Sequence, residues 1–174
     1  MKLLLAIGAA AFIMSCHPVG TKNSGALLPD TISISRPSYE LKYLSTWKID
    51  SSDADFNIDT YFSIDAPVED GTSVFFIFNV PVNEDNQVKA QVNAHLKKVM
   101  KNGTVTYFDH FGKFEGRGAL IDGKMMGLWQ GKTKIFCHSG DSTSFLVVSQ
   151  YLVSDSAKVL PGFNLIESSL KLKQ

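Results

Sequence analysis

The chain has 174 residues, 44% of them hydrophobic and 20% charged, which is the composition of an ordinary folded domain. Seventeen basic residues balance seventeen acidic ones, so no excess charge draws the chain to a polyanion and nucleic-acid binding is disfavoured.

The N-terminus carries the strongest signal. Met1-Lys2 is a short positive start, and Leu3 to Met14 is an unbroken apolar run of twelve residues. A membrane-crossing helix needs roughly 20 such residues, so the run fits the apolar region of a secretory signal instead. Ile13-Met14-Ser15-Cys16 then resembles a lipobox, with an aliphatic residue three positions before an obligatory Cys and a small residue just before it. The resemblance implies a diacylglyceryl thioether on Cys16, cleavage on its N-terminal side and acylation of the freed amine. The alternative is an ordinary cleaved signal that leaves Cys16 as a thiol or removes it. Cleavage before Cys16 removes 15 residues, Lys2 among them, and leaves 159 with a net charge of −1, enough for one domain with a full core.

The expected organisation is a signal peptide over 1–15, a flexible tether over 16–37 and an α+β domain over 38–174. His17 to Arg36 is rich in Gly, Ser, Thr and Pro and has no sustained apolar period. With no acidic cluster behind Cys16, the anchored chain is expected in a bacterial envelope, at the outer membrane facing the periplasm.

Strand-like patterns begin at about Ser38. Tyr61-Phe62-Ser63-Ile64-Asp65 alternates and stops at Ala66-Pro67, and Val68-Glu69-Asp70-Gly71 reads as a turn. Ser73 to Val80 is apolar on both parities, so it needs cover on both faces. Asn86 to Lys101 predicts a helix, with Val88, Val92, Leu96 and Val99 on one stripe. Asn83 or Asp85 can cap its start, and Asn102-Gly103 supplies a left-handed stop. A meander follows: Thr104 to Asp122 as one long or two shorter strands, a hairpin at Asp122-Gly123, a return over Lys124 to His138, a turn at Ser139-Gly140-Asp141, and Ser144 to Val153, again apolar on both parities. Pro161-Gly162 opens a closing helix with Phe163, Ile166 and Leu170 on one face.

This order of elements, with the closing pattern Phe163, Ile166 and Ser169, resembles the PsbP-like family over roughly residues 40–172. The resemblance implies an antiparallel sheet flanked by helices on both faces, an α/β/α sandwich. It also implies a mostly non-enzymatic role, since members include photosystem extrinsic subunits, nuclear-transport cofactors, envelope lipoproteins and chaperones that cradle an apolar segment.

Candidate chemical motifs fare poorly. Gly131-Lys132-Thr133 lacks the upstream glycine of a phosphate loop, because Met126 stands there, and a strand-like run follows it. Asp53, Asp55, Asn57 and Asp59 have calcium-loop spacing, but Ile58 and Ile64 occupy the positions that need Gly and Glu. Cys137 and His138, and likewise Asp109 and His110, are strand neighbours and are expected to diverge; Cys137 reads as a small buried hydrophobe. No Ser or Cys is spaced as a nucleophile. What remains is the aromatic set Tyr107, Phe108, Phe111, Phe114 and Trp129. It is either core packing or an apolar binding surface, with Tyr107, Phe111 and Trp129 its candidate residues. The expectation is a lipid-anchored, non-catalytic binding or adaptor module that uses no cofactor or metal. Its contacts would be the membrane through Cys16 and a protein partner. The alternatives are a carrier or chaperone for an apolar ligand, or an enzyme whose site is scattered along the chain.

Overall fold

The computed structural model describes residues 30–68, 71–81 and 83–173, so Cys16, the apolar leader and the Glu69-Asp70 turn lie outside the described residues. Among the described residues, ten strands and two α-helices run in the order β1 (Thr31–Ser35), β2 (Tyr39–Leu44), β3 (Lys48–Asp50), β4 (Tyr61–Asp65), β5 (Ser73–Phe78), α1 (Glu84–Lys98), β6 (Met100–Phe111), β7 (Phe114–Met125), β8 (Trp129–Ser139), β9 (Ser144–Leu152), α2 (Ser156–Ser169) and β10 (Lys171–Leu172). All strand pairs are antiparallel. The large sheet has the order β3-β4-β5-β9-β8-β7-β6, and a small one has the order β1-β2-β10. Among the described residues no helix is long and apolar enough to cross a membrane.

The two strands read as apolar on both parities, β5 and β9, are neighbours in the middle of the large sheet. Alternation sorts their side chains into two cores. Val74, Phe76, Phe78, Phe145 and Val147 join Phe62, Tyr39, Trp47 and the α2 residues Val159, Phe163 and Ile166. Leu146 and Val148 join Val80, Ile121, Ile135, Cys137 and the α1 residues Val88 and Val92, with Phe75 and Ile77 packed alongside. The first core is ring upon ring: Tyr39 stacks on Phe78 at 4.3 Å between centroids, and Phe62 stacks on Phe76 at 5.3 Å. The second is aliphatic.

Several local expectations are corrected. The tether was expected to run to residue 37, but β1 begins at Thr31 and pairs residue by residue with β2, from Thr31↔Leu44 to Ser35↔Glu40. Its Ser and Thr face outward and only Ile34 is buried, so the segment has too few apolar positions to stand out in the sequence. The helix comes earlier than expected: Asn83 caps it by accepting the Asn86 N–H at 3.0 Å, and it ends at Lys98 with Val99 as its C-cap. Asn102, at φ 53°, therefore serves an irregularity of the β6 ladder between Lys101 and Thr104 and does not stop a helix.

The expected hairpin at Asp122-Gly123 is also absent, because β7 runs straight through it. Gly123 is needed for close approach: a Cβ there would stand 2.7 Å from the Gly103 Cα on β6. The reversals occur at Gly112-Lys113, closed by the Phe111↔Phe114 pair, and at Met126-Gly127-Leu128, closed by Met125↔Trp129. Pro161, expected to open the last helix, lies inside α2, which starts at Ser156. Gly162 beside it leaves room for Trp47, whose ring would be 2.3 Å from an added Cβ. Ser169 fastens the end of α2 to β2, its hydroxyl accepting the Lys42 N–H at 2.8 Å and facing the Lys42 carbonyl at 3.2 Å.

Candidate binding site

The ring-rich core is not filled up to α2. Phe108 and Phe111 of β6, Leu120 of β7, Lys134 of β8, Ser149 and Tyr151 of β9, and Leu160, Phe163, Asn164 and Glu167 of α2 surround a cleft of about 340 Å³ with mostly apolar walls. Leu160, Phe163 and Ile166 of α2 supply one apolar wall of the cleft, and Leu120 of β7 with Ser149 and Tyr151 of β9 line it from the sheet.

One ion pair lies in this apolar setting. The Lys134 ammonium is 2.6 Å from Glu167 Oε2, and it lies 5.0 Å from the Phe111 ring centroid and 5.4 Å from that of Phe108. The other Glu167 oxygen accepts the Gly112 N–H at 2.9 Å. A carboxylate on α2 thus holds both the β6–β7 hairpin and the cation of β8. The pair is about one-quarter to one-third exposed, so it is partly shielded from water and its attraction is stronger than that of a surface pair. Chemically the cleft offers an apolar wall with one cation and one anion, suited to an apolar side chain or acyl segment whose polar end can reach Lys134 or Glu167.

Of the three residues read as a binding surface, only Phe111 lines this cleft, with 4% of its surface exposed. Tyr107 is exposed, and the Arg117 guanidinium covers its ring at 4.5 Å while also reaching Asp85 of α1. Trp129 is exposed at the opening of β8. The aromatic set therefore divides: Phe108, Phe111 and Phe114 pack inward on Phe136 and Phe145, while Tyr107 and Trp129 face water. Lys134 and Glu167, the charged members of the cleft, carried no sequence signal, because a lone Lys on a strand and a lone Glu on a helix read as solvated.

The expectation that Asp109 and His110 diverge is overturned. The β6 ladder shifts register between Phe108 and His110, and His110 Nδ1 lies 2.6 Å from Asp109 Oδ1. The His110 ring holds the Asp109 carboxyl below the usual carboxylate range, first by hydrogen bond and then by charge. Glu84, Glu115 and Gly116 complete an open groove around the pair. No hydroxyl or thiol lines that groove, so the pair has a proton to hold but no nucleophile beside it.

Cys137 and His138 do diverge. Cys137 is buried in the aliphatic core, where burial, followed by the charge of Glu84, pushes its thiol up to about 12. His138 Nδ1 lies 2.7 Å from the Glu115 carbonyl and its ring packs by Phe114. In the Asp53–Asp59 loop the side chains are engaged in turn closure and pairing: Asp53 accepts from the Asp55 N–H and the Tyr61 hydroxyl, Asn57 from the Asp59 N–H, and Asp59 pairs with Arg36. Among the described residues no group of three His, Cys, Asp or Glu side chains is placed to hold a metal. Lys132 of the Gly131-Lys132-Thr133 motif lies within β8 and pairs with Asp122 at 3.4 Å.

A second cleft, of about 380 Å³, opens beside α1 between Asp50, Asp53, Asp65, Tyr61, Phe75, Gln91 and His95. Its strands come together only in the folded sheet, and of the Asp53–Asp59 spacing only Asp53 lines it. Burial, then the charge of Asp50, raises the Asp65 carboxyl above its ordinary value.

No protein-family model and no curated protein matches the sequence. Among solved structures, the chain is similar to cyanobacterial PsbP (CyanoP) from Synechocystis, with a TM-score of 0.50 and 13% identity over 90% of this chain and 100% of that one. It is also similar to LpqN, a protein involved in cell envelope biogenesis of Mycobacterium tuberculosis, with a TM-score of 0.49 and 13% identity over 83% of this chain and 91% of that one. At these identities the likeness is one of backbone architecture. It agrees with the resemblance read from the order of elements: the chain has the PsbP-like α+β fold.

Proposed function

We propose that this protein is a non-catalytic binding module, held at a bacterial membrane by acyl groups on Cys16, whose α2 cleft receives an apolar segment of a protein partner. The cleft carries this reading: about 340 Å³ of mainly apolar space beside a Lys134–Glu167 pair fits one or two large apolar side chains next to a hydrogen-bonding group. The anchor rests on the Ile13-Met14-Ser15-Cys16 pattern behind its apolar leader. Each buried methylene contributes about 0.8 kcal/mol, so two or three acyl chains make attachment lasting. Fifteen residues from Cys16 to Asp30 would let the domain stand up to about 50 Å from the bilayer, facing the periplasm from the outer membrane. In this reading the helices cover the large sheet on both sides, because α1 and α2 contribute to different cores of opposite strand parity. The α2 cleft is then an apolar recess on one of these faces, open to the side chains of a partner.

A photocrosslinker at Asn164, an exposed residue of the cleft wall, tests this in cells. A specific adduct is expected in the wild type, and its loss in Leu160→Arg, which places a charged chain at the cleft rim. In Cys16→Ala the protein should leave the membrane fraction. Lack of any specific adduct across growth conditions would sink the partner reading. A second reading, a carrier for a free acyl ligand, draws on the same walls, and native mass spectrometry showing co-purified lipid that Leu160→Arg removes would favour it.

A further inference from the structure

The β7–β8 hairpin breaks the usual rule for turns. Its tip residues are apolar, and they point into water: Met126 is 74% exposed, Leu128 68% and Trp129 54%. Met126 adopts φ 51° and Gly127 φ 77°, and Leu128 N–H donates to the Met125 carbonyl at 3.0 Å, so the tip is a tight two-centre turn. A left-handed backbone costs a side chain with a Cβ about 1–2 kcal/mol, and Asn or Gly usually occupies it. A methionine there presents its thioether outward from a rigid turn. The turn is also pinned to the protein, because the Met126 N–H donates to the Val99 carbonyl at 2.7 Å, behind the end of α1.

Among the described residues, three exposed lysines gather around this tip. Lys98 lines the shallow groove that Met126 and Trp129 border. The Lys101 side chain passes 3.6 Å from where a Cβ on Gly127 would stand. Lys124 faces Lys101 directly across the β6–β7 ladder. Like charges placed opposite each other in a ladder repel, and a polyanionic surface would relieve that repulsion. The nearest acid along the strand, Asp122, is engaged by Lys132 at 3.4 Å.

We propose that this tip contacts an anionic lipid bilayer, with Met126, Leu128 and Trp129 entering the headgroup region and Lys98, Lys101 and Lys124 meeting lipid phosphates. The tip is convex and rigid, which suits a fluid surface that can close around it. The indole has an apolar body and an N–H that match the interface. A lysine side chain has an apolar stem that can lie along such a tip and an ammonium group that can reach lipid phosphate. The contact does not require an acylated Cys16, although an anchored chain would hold the tip close to the bilayer.

The chain supplies its own probe. Of its two tryptophans, Trp47 is 3% exposed inside the core and Trp129 is at the tip. Full-length protein is mixed with phosphatidylcholine vesicles with and without phosphatidylglycerol. With the anionic vesicles, Trp129 emission should shift to the blue, iodide quenching should fall and brominated lipids should quench it. Trp129→Phe should abolish these changes. Met126→Ser with Leu128→Ser should remove the lipid-induced shift, while circular dichroism stays that of the wild type. Gln at positions 98, 101 and 124 together should weaken it by roughly a hundredfold, as added salt should in the wild type. Vesicle flotation that persists while Trp129 stays silent would leave the acyl anchor standing and overturn the tip contact. A shift that is equal on neutral vesicles, or that rises with protein concentration without lipid, would also overturn it, the latter in favour of a second copy of the chain.

Discussion

Two regions of this molecule use the same residue classes to opposite ends. Under α2, Phe108, Phe111 and Phe163 surround a cleft and remain half-buried to buried, with one lysine drawn in and neutralised by Glu167. At the β7–β8 tip, Met126, Leu128 and Trp129 are left in water among three exposed lysines. Aromatic content alone cannot distinguish the two. The difference lies in what faces each strand end. α2 shares the cleft with residues of β8 and β9, whereas Met125–Trp129 closes a turn whose apolar tip no described element covers. Apolar surface under a helix contributes to stability, and apolar surface at a bare turn is available for contact.

This contrast can be broken most forcefully in the core. Phe136 is fully buried and stacks with both Phe108 and Phe111, so Phe136→Ala should cost about 3–5 kcal/mol in chemical denaturation. Trp129→Ala and Leu128→Ser should stay within about 0.5 kcal/mol of wild type. Equal losses at the two sites would show that the tip is part of the core after all.

Gly162→Ala comes next. The added methyl would meet the Trp47 ring, which packs edge-on against Phe163 at 5.1 Å, and a loss of about 1–3 kcal/mol is expected, with a change in the near-ultraviolet signal of Trp47. A neutral result would mean that α2 can slide, which would also reshape the cleft. Lys134→Met keeps apolar cover over Phe108 and Phe111 but removes the charge partner of Glu167. A loss of about 1 kcal/mol is expected, since Glu167 retains the Gly112 N–H.

The smallest effect concerns the α1 side. Burial, then Asp50, raises the Asp65 carboxyl, so the folded state holds that proton more tightly than the unfolded chain does. The group's contribution is therefore fully present in acid and is lost as the pH rises through the raised folded value. Asp65→Asn should lift Tm by roughly 2 °C at neutral pH, with the gain vanishing in acid. A gain that grows on acidification would reverse the assignment.

Much of the architecture was readable from local pattern. The two-faced apolar runs at β5 and β9 became neighbouring strands whose side chains enter two separate cores, and the stripe through Val88 and Val92 marked α1 to within a few residues. The misplaced turn and the misplaced start of α2 involved glycines and a proline, whose local meaning is ambiguous, while β1 was missed because it has a single buried position. Gly123 next to Asp122 has the form of a turn, yet its reason is the backbone of Gly103 on the next strand. The Asp109–His110 pair was misjudged because alternation holds only where the ladder has no bulge.

By itself the sequence determined the class of domain, the placing of a middle and a closing helix around a run of strands, and the N-terminal pattern at Cys16, because periodicity and short motifs are written in neighbouring residues. Only the tertiary structure decided which aromatics line a cleft and which face water, and where the charges of the cleft meet. Those choices depend on partners far apart in the chain, such as Lys134 with Glu167, 33 residues on, and Gly112 with Glu167, 55 residues on. Burial is a property of the assembled layers, so a phenylalanine at the cleft and a tryptophan at the tip are indistinguishable until α2 covers one and leaves the other bare.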